Sequence, residues 1–251
     1  MRPRVVQRAC VLMHFDECFA RDIYAAGAAW LRDDELALLR AVDPRAFRTD
    51  PERPLRLLAG LLEEYPVSAA VVGVEALHAF IGSAPFRHAV LRDRLVADAF
   101  GDWLFARAGA IAHIELGRAM ARRRRHRRGT GIARAPGVEL ARGPAGTLAC
   151  YVDALARLGE RAHDKVAAGA RVDAPDAPAV SADDDAPGQE HILVVHGAVS
   201  LCSEPLFALL SWARDGKARD AVVHEAARLG ADEDAAELVA DLCDEGLIAS
   251  V

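Results

Sequence analysis

The chain has 251 residues, of which 52% are hydrophobic, and this is enough for one large domain or two modest ones. Its 31 basic and 37 acidic residues give a formal net charge of −6, which excludes a general basic field that recruits nucleic acid. The longest weakly charged stretch, residues 67–81, is too short to span a bilayer, and the first residues lack the apolar core of a signal peptide.

The first half of the chain carries the signals of a helical array. Alanine, leucine, arginine and glutamate dominate the composition, and these residues favour helices. Small polar residues or proline at expected helix starts, and glycine past expected ends, divide the stretch into separate helices. Residues 1–128 are therefore predicted to form a helical domain. Its predicted helices cover residues 15–31, 33–42, 51–65, 68–81, 85–107 and the stretch from 110 towards an arginine run.

The residue composition and pattern change in the middle of the chain. Residues 132–134 and 138–140 are short, alternating and bounded by Gly or Pro, which predicts brief strands. A helix is predicted over residues 147–166, so that residues 129–171 form a connecting segment of strands and helix. Residues 172–190 are rich in Pro, Ala and Asp and almost devoid of bulky apolar side chains, which predicts an acidic linker.

The last segment, residues 191–251, has a regular order of expected elements. Apolar runs and turn signals predict a strand, three helices and a terminal strand, and this order is typical of a winged helix. The predicted fold class is therefore mainly α with a small β component. It consists of an N-terminal helical domain plus a C-terminal winged-helix-like α+β domain. The predicted elements are the strand 191–195, the helices 204–212, 218–229 and 232–245, and the strand 247–248.

Catalytic motifs are absent from the sequence. It contains no HExxH, GxSxG, CxxC or Walker A motif, so the chain is predicted not to be an enzyme and to need no cofactor. His14 and Cys18 flank Asp16 and Glu17, and these residue types bind zinc or iron. No second cluster has ligand spacing, so no metal site is predicted. A metal-dependent oxidase that uses His14, Cys18 and distant histidines is an alternative.

Cysteine usage indicates the compartment. The five cysteines are scattered, odd in number and without close pairing. In a chain of this length such cysteines are typical of reduced thiols, so a cytoplasmic protein is expected.

An arginine run is the densest charge in the chain. Cations are favoured at a helix C-terminus, so a solvated helix end is the ordinary interpretation. The run is longer than capping requires, and contact with a partner protein is therefore predicted, with nucleic acid as a weaker alternative. The residues predicted to bind a partner are Arg122, Arg123, Arg124, Arg125, Arg127 and Arg128.

The winged-helix-like segment distinguishes DNA binding from peptide binding. A third helix that reads DNA should carry Arg, Lys, Asn or Gln, but residues 231–245 are strongly acidic and would repel phosphate. A DNA-binding transcriptional regulator is therefore the alternative, and binding of an extended peptide as an added strand is the prediction. The predicted peptide-binding residues are Ile192, Leu193, Val194 and Val195 on an edge strand, with Val239 and Leu242 lining the groove.

Six short motifs follow one another in a fixed order along the chain. The motifs are DPRAFRTDP (43–51), LAGLLEEYPVS (58–68), FIGSAPF (80–86), AFGDWL (99–104), APGVEL (135–140) and GPAGTL (143–148). In this order they resemble a known family, the partner proteins of multinuclear non-haem iron-dependent oxidative enzymes, which modify ribosomally made peptides. The C-terminal part is similar to the precursor-peptide recognition element, a small winged-helix module that resembles the carrier protein of pyrroloquinoline quinone biosynthesis.

The resemblance implies a function without catalysis. A member of this family forms a heterodimer with the iron enzyme, binds the precursor peptide and presents it to that enzyme. It also implies that the iron ligands belong to the enzyme, and that residues 1–128 form the partner-docking domain. Neither nucleic acid nor a membrane is expected as a partner. The long acidic linker departs from the family pattern.

Overall fold

The computed structural model describes residues 1–47, 52–123, 131–172 and 188–250, with the side chain of Asp232 excepted. Within these ranges the chain forms fourteen α-helices and five short strands, which confirms the predicted fold class, mainly α with a small β component. No helix in the described ranges is long and apolar enough to cross a membrane.

The helices are α1 (Pro3–Phe15), α2 (Glu17–Ala25), α3 (Asp33–Arg40), α4 (Arg53–Glu64), α5 (Pro66–Val72), α6 (Val74–Ile81), α7 (Ala84–Arg92), α8 (Val96–Ala108), α9 (Ala110–Arg123), α10 (Thr147–Leu158), α11 (Ala162–Ala167), α12 (Glu204–Trp212), α13 (Arg219–Ala226) and α14 (Ala235–Asp244). The strands are β1 (Ile132–Arg134), β2 (Val138–Pro144), β3 (Gln189–Val195), β4 (Ala198–Leu201) and β5 (Ile248–Ser250).

The chain divides into two units whose boundaries differ from the predicted domains. The first unit comprises residues 1–107 and 158–172. The second unit comprises residues 108–157 together with the described part of residues 173–251. Residues 129–171, predicted to be one connecting segment, are therefore divided between the two units.

Long-range packing explains this division. Strand β2 pairs with β3 and so joins the same unit as the C-terminal helices. Helix α11 packs instead against α4 and α5 of the first unit, and the helix predicted over residues 147–166 is split into α10 and α11. Of the predicted linker, residues 173–187 lie outside the described residues, as does the predicted helix start at residues 50–51, whereas β3 begins at Gln189.

Three of the predicted N-terminal helices differ in extent from those of the structure, and α1 was not predicted. The helix predicted over residues 85–107 is divided into α7 and α8, and the helix predicted over residues 15–31 extends only over α2. Asp16 separates α1 from α2, and its carboxylate accepts a hydrogen bond from the backbone N–H of Phe19 at 3.0 Å and caps α2. The helix predicted over residues 68–81 is interrupted at Gly73, where a φ of +86° ends α5 before α6 begins. The helices of the first unit are therefore shorter than predicted.

Aromatic side chains fill part of the core of the first unit. The ring of Phe100 lies 4.9 Å from Phe80 and 5.9 Å from Trp103, centroid to centroid, and Tyr65 meets it edge-on at 5.6 Å. All four side chains are buried. A second apolar cluster joins α1, α2 and α3. Its buried members are Ala9, Met13, Ile23, Leu31 and Leu39.

The second unit is built on a three-stranded antiparallel sheet in the spatial order β2, β3, β4, while β1 pairs with β5. Helix α9 packs on the face of the sheet that carries Val194, and Gly117 of α9 lies beside that side chain. Side chains alternate between faces along a strand, so Val138 and Leu193 point to the opposite face. That face meets α12, α13 and α14 in one apolar core.

Candidate functional site

The strand predicted to form an open edge lies in the centre of the sheet. Ile192, Leu193, Val194 and Val195 belong to β3, which pairs with β2 on one side and with β4 on the other. The main-chain groups of these residues are therefore engaged within the sheet, and the prediction that they form the edge is wrong. Strand β4, which was not predicted from the sequence, follows β3 after a two-residue turn at His196 and Gly197.

The two helix residues predicted to line the groove are core residues. Val239 is 0% exposed and Leu242 is 4% exposed, and both pack in the cluster that includes Leu193 and Leu210. The helical spacing identified the apolar face of α14 correctly, but this face is covered by the sheet and by its neighbouring helices. These side chains therefore do not line an accessible groove, and that part of the prediction is wrong.

Strand β4 is the open edge of the sheet. No described residue pairs with its outer side. The outer side of β2 is different, because Val138 N–H donates to the carbonyl of Ala135 at 3.2 Å and Arg142 N–H donates to His113 Nδ1 at 3.4 Å. Of the two outer strands of this three-stranded sheet, β4 is therefore the one that offers a run of main-chain groups to a further strand.

The pattern of hydrogen bonds between β3 and β4 identifies the two residues of β4 whose main-chain groups point away from β3. Cys202 N–H donates to the carbonyl of His191 at 2.9 Å, and directly opposed residues alternate between bonded and non-bonded pairs. Because His191 and Cys202 form a bonded pair, the next pair, Ile192 and Leu201, is non-bonded. The pair two positions further on, Val194 and Val199, is non-bonded as well. Val199 and Leu201 therefore direct their N–H and C=O groups away from β3, towards the open side.

Arg118 of α9 links the β3–β4 turn to α10. Its Nε donates to the carbonyl of Gly197 at 3.0 Å, and a terminal nitrogen donates to the hydroxyl of Tyr151. Burial raises the pKa of the Tyr151 hydroxyl to about 12, with Glu115 acting in the same direction and Arg118 opposing it. The neutral phenol is therefore retained at physiological pH, and Arg118 holds the turn that precedes β4.

We expect Arg118→Ala to weaken the turn and to destabilise the second unit. The change removes the guanidinium that donates to the buried Tyr151 hydroxyl. We expect the free energy of unfolding to fall by about 1–3 kcal/mol as a result. Chemical denaturation measures this loss. The matched control is Arg122→Ala on the exposed surface of the same helix, for which a change within about 0.5 kcal/mol is expected. Equal losses in the two variants would contradict the role of Arg118.

The arginine run is only partly described. Arg122 is exposed at the end of α9, whereas Arg123 is half-buried, and burial lowers the pKa of its guanidinium. The remaining four residues predicted to bind a partner lie outside the described residues. They are Arg124, Arg125, Arg127 and Arg128.

The residues weighed as metal ligands have other contacts. His14 Nδ1 contacts a guanidinium nitrogen of Arg53, and its ring lies 4.9 Å from that of Phe47. Cys18 is exposed, and Arg21 lies 3.3 Å from its sulfur. Across the ranges that the structure describes, no group of three or more His, Cys, Asp or Glu side chains is placed to hold a metal ion.

The third helix of the C-terminal part presents acidic side chains to solvent. Glu237, Asp241 and Asp244 are exposed on α14. A helix of this charge repels the phosphates of DNA, as the sequence indicated.

Comparison with protein-family models, with curated proteins and with solved structures gives no match for this chain.

Proposed function

We propose that this chain is a non-catalytic partner protein that binds a ribosomally made precursor peptide as an added strand on β4. It presents the peptide to a multinuclear non-haem iron oxidative enzyme, with which it forms a heterodimer in the cytoplasm. The observation that carries the proposal is the open edge of β4, where the N–H and C=O groups of Val199 and Leu201 point away from β3. An extended backbone is the ligand that such an edge binds.

The positions of the family-like motifs support the proposal. Two of them flank the sheet, since residues 135–140 enter β2 and residues 143–148 leave it for α10. The motif over residues 99–104 contributes Phe100 and Trp103 to the aromatic core of the first unit. These motifs therefore coincide with residues that build the two units, as expected for a resemblance in fold and binding rather than in catalysis.

The cytoplasmic location is supported by cysteine chemistry. All five cysteines are free thiols. Free thiols are typical of proteins from a reducing compartment.

The two alternatives have less support. A DNA-binding regulator needs a basic or amide-rich third helix, whereas α14 exposes Glu237, Asp241 and Asp244. A metal-dependent oxidase that uses His14 and Cys18 needs these side chains to converge with further ligands, and their described contacts are with Arg53, Phe47 and Arg21. The family resemblance assigns the iron to the partner enzyme instead.

Co-expression with the iron enzyme tests the proposed function. The tagged chain is produced together with an iron oxidative enzyme encoded beside it, and the product is analysed by size exclusion and metal content. We expect a one-to-one complex that carries iron, and an isolated chain without stoichiometric metal. A chain that elutes alone in the presence of the enzyme would contradict the partner role. Stoichiometric metal in that isolated chain would favour the oxidase, and salt-dependent binding to duplex DNA would favour the regulator.

A further inference from the structure

An open groove of about 600 Å³ runs beside the β4 edge in the second unit. Leu148, Val152 and Ala156 line it from α10, and Leu201 lines it from β4. The three α10 residues are four positions apart, so they share one face of the helix. The groove therefore has an apolar wall on each side.

The exposure of these side chains is unusual within the unit. Val152 is 51% exposed and Leu201 is 56% exposed, and no other large hydrophobic side chain in the described part of the second unit is as exposed. Both of them line the same groove. Apolar side chains that are clustered in this way, rather than scattered singly, mark a binding surface.

The polar side chains of the groove are already engaged. The two carboxylate oxygens of Glu190 accept from the backbone N–H groups of Gly146 at 2.6 Å and Leu148 at 2.9 Å. Asp153 pairs with Arg157 at 2.7 Å on the surface of α10. Glu190 thus ties the start of α10 to the sheet, and the groove is left to an apolar ligand.

Leu201 belongs both to the open edge and to the groove. Its main-chain groups face away from β3, and its side chain forms the groove wall on the β4 side. Residues that pair across neighbouring strands place their side chains on the same face of the sheet. A peptide residue that pairs with Leu201 therefore directs its side chain towards α10, and a residue that pairs with Val199, two positions away, points to the same face of the sheet.

We propose that the groove between α10 and β4 selects a large aliphatic side chain at the peptide position that pairs with Leu201. This inference rests on the proposed addition of a strand to β4. The ligand is thus an extended peptide segment with Leu, Ile, Val or Met at that position. The alternate residues of the segment point to the other face of the sheet, where Ala198 and Ser200 are small.

Selection from a random peptide library displayed on phage tests the preference without a known ligand. The library is panned against the full chain, and the selected sequences are made as labelled synthetic peptides for titration by fluorescence anisotropy. We expect the selected peptides to share one aliphatic position. Val152→Asp is expected to weaken their binding roughly ten- to a hundredfold, because burial of an aliphatic side chain contributes that much to a binding constant.

The matched control is Leu95→Asp, which places the same charge on a side chain that is 56% exposed in the first unit. It is expected to leave peptide binding unchanged, and circular dichroism establishes that both variants fold. Peptides that lack an aliphatic preference, yet lose binding when Val199 is replaced by Pro, would overturn the groove and leave strand addition standing. If no peptide is selected, both inferences fail.

Discussion

Replacing Val199 by Pro is expected to weaken peptide binding roughly ten- to a hundredfold without unfolding the chain. Val199 directs its N–H to the open side of β4, so proline removes a donor that β3 does not use. In the variant, the peptide carbonyl that would accept from this N–H is buried on binding without a hydrogen bond. This costs about 1–3 kcal/mol of binding free energy, and every 1.4 kcal/mol is about tenfold in affinity. Titration of a synthetic precursor peptide by fluorescence anisotropy measures the loss.

Two matched variants separate the main-chain effect from other causes. Val199→Ala shortens the side chain but retains the outward N–H, so most of the affinity is expected to remain. Ser200→Pro removes an N–H that faces β3, and it should therefore lower the stability of the second unit. Wild-type affinity in Val199→Pro would show that the peptide does not add to β4.

Phe100→Ala is expected to lower the free energy of unfolding of the first unit by about 3–5 kcal/mol. Phe100 is 0% exposed, and its ring contacts those of Tyr65, Phe80 and Trp103. Truncation leaves a cavity that the surrounding rings fill only in part, because packed aromatic side chains have few alternative arrangements. Chemical denaturation, followed by the fluorescence of tryptophan, measures the change.

The control for this prediction is Leu95→Ala, next to α8, where the side chain is 56% exposed. A change within about 0.5 kcal/mol is expected for an exposed position of this kind. A loss below about 1 kcal/mol for Phe100→Ala would contradict the aromatic core described here. The peptide affinity of the second unit is expected to be unchanged in both variants.

Local patterns in the sequence were sufficient to predict most helices and the fold class. The apolar stripe of α14 was evident because Val239 and Leu242 are three positions apart, which places them on one helix face. The same pattern cannot indicate what covers that face. In the structure the sheet and α12 and α13 cover it, so both residues became core rather than groove.

The position of β3 in its sheet was not predictable from its own residues. Its central place depends on β2, which lies more than forty positions earlier, and on the four-residue strand β4. The alternation of Ala198, Val199, Ser200 and Leu201 is too brief to predict a strand. The signal in the sequence that could have predicted a hairpin is the dipeptide His196–Gly197. Both residues have positive φ in the structure, as a two-residue hairpin turn of type I′ requires.

The contacts by which Arg118 supports the site could not be predicted from the sequence either. Arg118 contacts Tyr151 and Gly197, which lie 33 and 79 positions away along the chain. Such pairs leave no periodic trace in a single sequence. From the sequence alone, a single arginine on a helix is expected to be a surface charge, because its partners are distant along the chain.

Amide hydrogen exchange of the full chain, with and without a synthetic precursor peptide, tests strand addition at β4 most directly. We expect slower exchange at the N–H groups of Val199 and Leu201, because these face the open side and would donate to the added strand. Ser200, whose N–H faces β3, is expected to change little. Slower exchange on α14, with Val199 and Leu201 unaffected by bound peptide, would contradict the account.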